Sequence, residues 1–319
     1  MSAAMYSTIA TASLAAVAAV YAWQQRSSRI ASASSQPTRF NVLSWNILAR
    51  PFTYFNKEPP GCVQGHHNPS ADIESTAQTR ARYGLVSDAL LARRPDVVLL
   101  QECEKAFFEA ELNPRAAEVN SAYELFATHE EGPGTAVLVL RGGQCVATGV
   151  VTRVGATEDT GGTSKSVTLV QVAIGGRLLW LGSIHATPVK YGPQKVREQL
   201  VQLSDALRSD ANATLTASPP RVLIAGDLNA EPDEVEGLQR SSCLGGLQRI
   251  DAGLGHTGLS STFDEPVTID HAFISPGLRV ISAAREKQPA SPFDRAAEGP
   301  SPVIGASDHV WQAYVLEME

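Results

Sequence analysis

The stretch VLIAGDLNAEPDE, residues 222–234, decides how the chain is read. Four apolar residues and a glycine lead into Asp227 and Asn229. One reading is a strand that runs into an ordinary polar turn, because Asp, Asn, Gly and Pro are the commonest turn formers. The other is a strand that delivers a carboxylate and an amide to a reaction centre. The same design recurs along the chain, and the recurrences choose between them.

Upstream, FNVLSWNIL (40–48) alternates Val42, Ser44 and Asn46 on one face with Leu43, Trp45 and Ile47 on the other, the period of a strand. Residues 71–94 carry apolar positions at helical spacing and stop before Pro95. DVVLLQE (96–102) is too apolar for a half-exposed strand and predicts one buried on both faces. A helix interrupted near Pro114 is expected over residues 104–122. Four strands follow, at 135–141, 146–154, 166–174 and 177–186, with a tight hairpin at Gly175-Gly176. Residues 194–208 have helical spacing at Val196, Leu200, Leu203 and Leu207. VTIDHAFIS (267–275) and VWQAYVLEM (310–318) are the last strands, and residues 286–307 are a surface loop. Strands interleaved with two or three helices predict an α/β fold of two packed sheets flanked by helices, with polar residues brought to one rim.

The polar residues that end those strands are Asn46, Glu102, His185, Asp227 with Asn229, Asp270, and Asp308 with His309. A carboxylate or imidazole at the end of a buried strand is costly unless it is paired or bound to a cation. Convergence on one metal site satisfies all of them together. Oxygen donors without thiolates suit Mg²⁺, or Mn²⁺, better than zinc. Singly, each has an ordinary alternative, such as a turn for Asn46 or a cap for Asp308.

In order, WNIL, LLQE, SIHATP, GDLN, TIDHAFIS and SDH resemble the successive motifs of the endonuclease/exonuclease/phosphatase superfamily over residues 39–319. That superfamily includes deoxyribonuclease I, inositol polyphosphate 5-phosphatases, neutral sphingomyelinases and the deadenylase, nocturnin and Angel group. The resemblance implies a four-layered α/β sandwich of two mainly antiparallel sheets. It also implies roles: Glu102, Asn46 and Asp308 at the metal; Asp227 and Asn229 on the attacking water and scissile phosphate; His185 and His309 on phosphate oxygens, with Asp270 holding the His309 ring. NIL followed by PFTYFNK, Arg80 and Arg82 ahead of Glu102, and IDHAFIS look most like the deadenylase, nocturnin and Angel group. Arg82, with Asn229 and His185, is then expected on the substrate. Tyr54 and Phe55 either stack a nucleobase or pack beneath their loop. His66-His67 lacks nearby partners at zinc spacing and reads as loop.

Bulk properties fit an enzyme of this kind. The 319 residues are 43% hydrophobic and 18% charged, as in a soluble globular domain, and the net charge of -7 disfavours a tight duplex-DNA binder. Four scattered cysteines without a CxxC pair predict neither structural zinc nor a disulfide framework. Residues 5–23 are uncharged and precede Arg26 and Arg29, which predicts a membrane anchor with a cytosolic catalytic domain over 37–319. A cleaved signal peptide or a mitochondrial presequence is the alternative within residues 1–36. Three functions stay open: an Mg²⁺-dependent RNA 3'-exonuclease or nucleotide phosphodiesterase; a phosphatase of a nucleotide 2'-phosphate, inositol phosphate or phospholipid head group; and a non-catalytic scaffold. A buried lysine or arginine in the metal position would favour the scaffold.

Overall fold

The computed structural model describes residues 37–49, 76–127, 133–158, 164–188, 193–213, 221–240, 243–250, 258–259, 266–286, 307 and 309–318. Residues 5–23, Tyr54, Phe55, His66-His67, Asp308 and most of the loop expected over 286–307 lie outside them. Among the described residues no helix is long and apolar enough to cross a membrane.

In chain order the elements are β1 (Thr38–Asn46), α1 (Thr76–Arg93), β2 (Val97–Cys103), a 3₁₀ turn (Lys105–Phe108), α2 (Ala116–Ala122), β3 (Tyr123–Ala127), β4 (Gly134–Leu140), β5 (Cys145–Glu158), β6 (Ser164–Ile174) and β7 (Arg177–His185). They continue with α3 (Pro193–Ala213), β8 (Arg221–Asp227), α4 (Pro232–Arg240), the short β9 (Gln248–Arg249), β10 (Gly258–Leu259) and β11 (Pro266–Val267), then β12 (Asp270–Ile274), β13 (Leu278–Glu286) and β14 (Trp311–Met318). One six-stranded sheet runs β13-β14-β1-β2-β4-β3 and the other β5-β6-β7-β8-β12-β9. Pairing is antiparallel except for β1 with β2 and β7 with β8. Each parallel pair is joined by a crossover that contains a helix, α1 in one sheet and α3 in the other.

Three apolar layers fill the spaces between the four structural layers. Val42, Val97, Leu99, Leu181, Leu223 and Ala225 belong to the layer between the sheets. Leu43, Trp45, Val98 and Leu100 pack on Tyr83, Val86 and Leu90 of α1. Trp180, Ile184, Val222 and Ile224 pack with Val196, Leu200 and Leu203 of α3 and Val235 of α4. The uniform apolarity of DVVLLQE thus reflects burial against the second sheet on one face and α1 on the other.

The helix expected over 104–122 with an interruption near Pro114 is the 3₁₀ turn and α2, and the interruption spans residues 109–115. At the hairpin, Ile174 pairs with Arg177 across Gly175 and Gly176, whose φ values of 55° and 80° form the positive-φ turn that matches strand twist.

Gly226 places β8 against its neighbours. Its φ is 148°, and a Cβ there would lie 2.1 Å from the Ile184 carbonyl oxygen and 2.8 Å from Gln101 Nε2. Both obstacles are buried, so Gly226→Ala is expected to cost about 3 kcal/mol or more, read as a lower urea midpoint.

Candidate active site

Period-2 alternation carries the layer between the sheets straight to one rim. On β1 the row Val42, Ser44 ends in Asn46; on β7 Leu181, Ser183 ends in His185; on β8 Leu223, Ala225 ends in Asp227. β12 enters from the opposite direction, and Asp270 lies directly across from Asp227 in the antiparallel register. Gln101 extends the same row on β2, so strict alternation would turn Glu102 toward α1. A bulge prevents this. The β2–β4 register shifts between Leu100 and Cys103, and Glu102 adopts φ 51°, an uncommon backbone conformation for a residue with a side chain. Its carboxylate thereby joins the rim.

Asn46 is the hub. Its Nδ2 donates to Glu102 Oε1 at 3.2 Å and to Asp227 Oδ2 at 3.1 Å, and lies 3.5 Å from His309 Nε2. Its Oδ1 accepts from Leu48 N at 3.0 Å. Asn46, expected as a metal ligand, therefore shows its NH₂ to the cluster and orients the two carboxylates. The other oxygen of Glu102 accepts from Ala49 N at 3.0 Å.

Asp227 is both turn former and site residue. Oδ1 accepts from Asn229 N at 2.7 Å and closes the turn, while Oδ2 faces the cluster. Burial, with further upward pushes from Asp270 and Glu102 against downward pulls from His309 and Lys165, raises its pKa to about 7. Asn229 has φ 51°, and its Nδ2 donates to Ala186 O at 3.0 Å, tying the turn to the segment after β7.

His309 Nδ1 is 2.8 Å from Asp270 Oδ2, which sets the ring so that Nε2 lies 3.8 Å from Asp227 Oδ2. Its backbone is pinned too: Ser307 Oγ accepts from His309 N and donates to Asn46 O, and Trp45 Nε1 donates to His309 O. His185 Nε2 is 3.6 Å from both Glu102 Oε1 and Asp227 Oδ2. Burial first, then the positive charge of Lys165 and the proximity of His309, hold its pKa well below the ordinary imidazole value. Lys165, which no sequence motif singled out, places Nζ 2.6 Å from His185 Nε2. It adds to the acidic cluster and replaces none of its members.

Glu102, His185 and Asp227 can each point a ligand atom within 4.8 Å of the others. Two buried or nearly buried carboxylates that crowd one another, one of them with a raised pKa, fit a divalent cation chemically.

Arg82 lies elsewhere than expected. Its side chain is fully buried, and NH1 donates to Ile47 O at 2.6 Å and Leu48 O at 2.7 Å, with the guanidinium over the Tyr83 ring. Thus it cannot reach a substrate; it holds the turn whose Ala49 N–H grips Glu102. Arg80 ties α1 to the carbonyls of Ala110 and Glu111. Arg82→Met, which strands two buried carbonyls, is expected to cost about 3 kcal/mol in thermal unfolding and to weaken Mn²⁺ binding roughly tenfold by paramagnetic resonance.

The sequence matches the model of the Endonuclease/Exonuclease/phosphatase family over residues 43–309. No curated protein matches it. Among solved structures, it is similar to human Nocturnin catalytic domain with bound sulfate, at 18% identity and a TM-score of 0.58, covering 90% of this chain and 100% of that one. It is also similar to ANGEL2, described as a 2',3'-cyclic phosphatase in complex with adenosine-2',3'-vanadate, at 16% identity and a TM-score of 0.61, covering 89% and 96%. D. rerio TDP2 complexed with a single-strand DNA product gives 16% identity and a TM-score of 0.60, covering 88% and 99%. These three likenesses are of fold. With the family model matched over most of the chain, the chain belongs to the endonuclease/exonuclease/phosphatase family.

Proposed function

We propose that this chain is a divalent-metal-dependent phosphoesterase that hydrolyses a phosphodiester bond in RNA, as a 3'-exonuclease, or in a nucleotide. The observation that carries this reading is the convergence of Glu102, His185, Asp227 and the Asp270–His309 pair on one rim. Glu102 would hold Mg²⁺ or Mn²⁺ at this rim, and the cation would supply charge to polarise the phosphoryl oxygens. Asp227, buried at the same rim with Oδ2 facing the cluster, is placed to accept a proton from the attacking water. Asp270 fixes the His309 ring so that Nε2 can meet a phosphate oxygen. Asn229 shapes the turn beside them. The related folds of Nocturnin, ANGEL2 and TDP2, two of them solved with nucleotide or nucleic-acid ligands, support a nucleotide-based substrate.

The test incubates the protein from residue 37 onward with Mg²⁺ and a labelled RNA ending in adenosines, beside 2',5'-oligoadenylate, NADPH and inositol phosphates. Chelator-sensitive release of mononucleotides from RNA supports the exonuclease. Phosphate released only from a small molecule moves the chain to the phosphatase reading, and no turnover of any substrate leaves the scaffold. We infer for residues 1–36 a membrane anchor that keeps the catalytic domain cytosolic, on the apolar run 5–23 followed by Arg26 and Arg29.

A further inference from the structure

Lys165 stands near the start of β6, a position where a lysine is ordinarily solvated. Here its side chain is buried, at 8% exposure, and its ammonium meets the His185 ring at 2.6 Å. An ammonium carries three donors and no acceptor, so His185 Nε2 is the acceptor and the imidazole proton resides on Nδ1. His185 is therefore neutral in this pair. The positive charge on this side of the cluster belongs to Lys165, one hydrogen bond beyond a ring atom that is 3.6 Å from Glu102 Oε1 and Asp227 Oδ2.

The surroundings hold this placement. Gln199 of α3, itself buried, donates through Nε2 to Lys165 O at 3.0 Å and accepts at Oε1 from Thr187 N at 3.3 Å. One amide thus bridges the two chain positions that flank the Lys165–His185 contact. From the other sheet, Thr135 Oγ1 lies 3.3 Å from Ser166 Oγ and 2.8 Å from Thr168 Oγ1, which pins β6 immediately after Lys165. A buried ammonium fixed by two secondary-structure elements beside a carboxylate cluster is costly unless it is used.

We propose that Lys165 is a catalytic residue: it donates through Nζ to a non-bridging oxygen of the scissile phosphate while His185 holds the ammonium in place. The inference rests on the phosphoesterase reading above. Lysine suits the task because its three rotatable donors let one stay on His185 while another turns to phosphate. In the reaction the water oxygen bonds to phosphorus and gives its proton to Asp227. The bond from phosphorus to the leaving oxygen breaks, and that oxygen takes a proton from solvent. Lys165 keeps its protons throughout and stabilises the charge that develops on the non-bridging oxygen.

The experiment compares wild type, Lys165→Ala, Lys165→Met and Lys165→Arg, with Mg²⁺ and bis(4-nitrophenyl) phosphate or the RNA of the preceding test. It reads kcat, KM, Mn²⁺ affinity by paramagnetic resonance, and rescue by added ethylammonium. The expected result is a kcat lowered about 10²- to 10³-fold in Lys165→Ala and Lys165→Met, with Mn²⁺ affinity within threefold of wild type. Ethylammonium should restore Lys165→Ala at least tenfold, a response that a purely structural lysine would not give. A kcat within threefold of wild type in Lys165→Ala overturns the role, as does a loss that ethylammonium leaves unchanged in a variant that still binds Mn²⁺. If the alanine variant fails to fold, Lys165→Met decides by its kcat alone at unchanged Mn²⁺ affinity. A wild-type chain that turns over none of the probes overturns the phosphoesterase reading itself, whereas an active wild type with an unimpaired Lys165→Ala overturns only the lysine.

Discussion

Glu102→Ala is expected to lower kcat at least about 10³-fold and to abolish the response of the rate to Mg²⁺, with the fold retained. The size of the effect follows from what Glu102 contributes. It supplies one of the two carboxylates in the Glu102, His185 and Asp227 cluster, at a side-chain exposure of 12% that keeps it shielded yet reachable. Its two oxygens are held by Asn46 Nδ2 and Ala49 N, so the group is already set before a cation arrives. Retention of the fold follows from the position of Glu102 at the rim, beyond the apolar rows between the sheets and against α1. Alanine at φ 51° is no more strained than glutamate there. Initial rates across an Mg²⁺ series, with Mn²⁺ affinity measured separately, check the prediction. Activity within tenfold of wild type would show that the rest of the rim suffices and that Glu102 only shapes the cleft.

Much of this site was legible because strand periodicity extends from the core to the rim. Val42 and Leu223 lie between the sheets, so Asn46 and Asp227, an even number of residues further on, face the same way. Glu102 breaks that rule, and nothing in DVVLLQE announces the bulge; the motif located a residue whose direction the alternation would have reversed. Arg82 carried an overlooked signal. Thr79, Arg82, Tyr83, Val86, Ser87 and Leu90 form one buried helical stripe, so an arginine on that stripe belongs inside the fold rather than on a ligand. Similarly, Pro232 followed by Asp233 and Glu234 is a helix-start pattern, and α4 begins there directly after the turn that Asp227 closes. Lys165 was not legible at all. Its placement depends on the pairing of β6 with β7 and on Gln199 from a third element, contacts between residues far apart in sequence. β3 and β13 escaped notice for a related reason: YELFA and LRVISAARE mix charge with apolar residues at sheet edges, where the period is diluted.

Asp227→Asn is expected to lower kcat about 10³-fold while making the metal-free protein more stable at pH 8. The two effects have one cause. Burial, chiefly, raises the Asp227 pKa from 3.8 to about 7, so the folded chain keeps this proton over a range in which the unfolded chain has already lost it. Stability therefore falls as pH rises from about 4 to about 7, and above that the full cost of a buried charge remains. Asparagine cannot ionise and escapes this cost, and it can still accept Asn229 N–H and keep the turn, but its NH₂ then faces the Asn46 NH₂, which offsets part of the gain. The gain should be on the order of 2 kcal/mol at pH 8, seen as a rise of about 5 °C in Tm, and it should vanish near pH 4, where the native carboxyl is protonated. His185 works in the opposite direction, since its depressed pKa costs stability as pH falls below the ordinary imidazole value of 6.5. Both proteins carry His185, so the difference between their Tm profiles isolates Asp227. Added Mg²⁺ should raise wild-type Tm at pH 8 and leave the variant nearly unmoved, because a cation offsets the charge that asparagine lacks. A variant less stable than wild type at pH 8 would mean that the neighbouring Lys165 and His309 already neutralise the carboxylate, so that its raised pKa does not mark a group poised to take a proton from water.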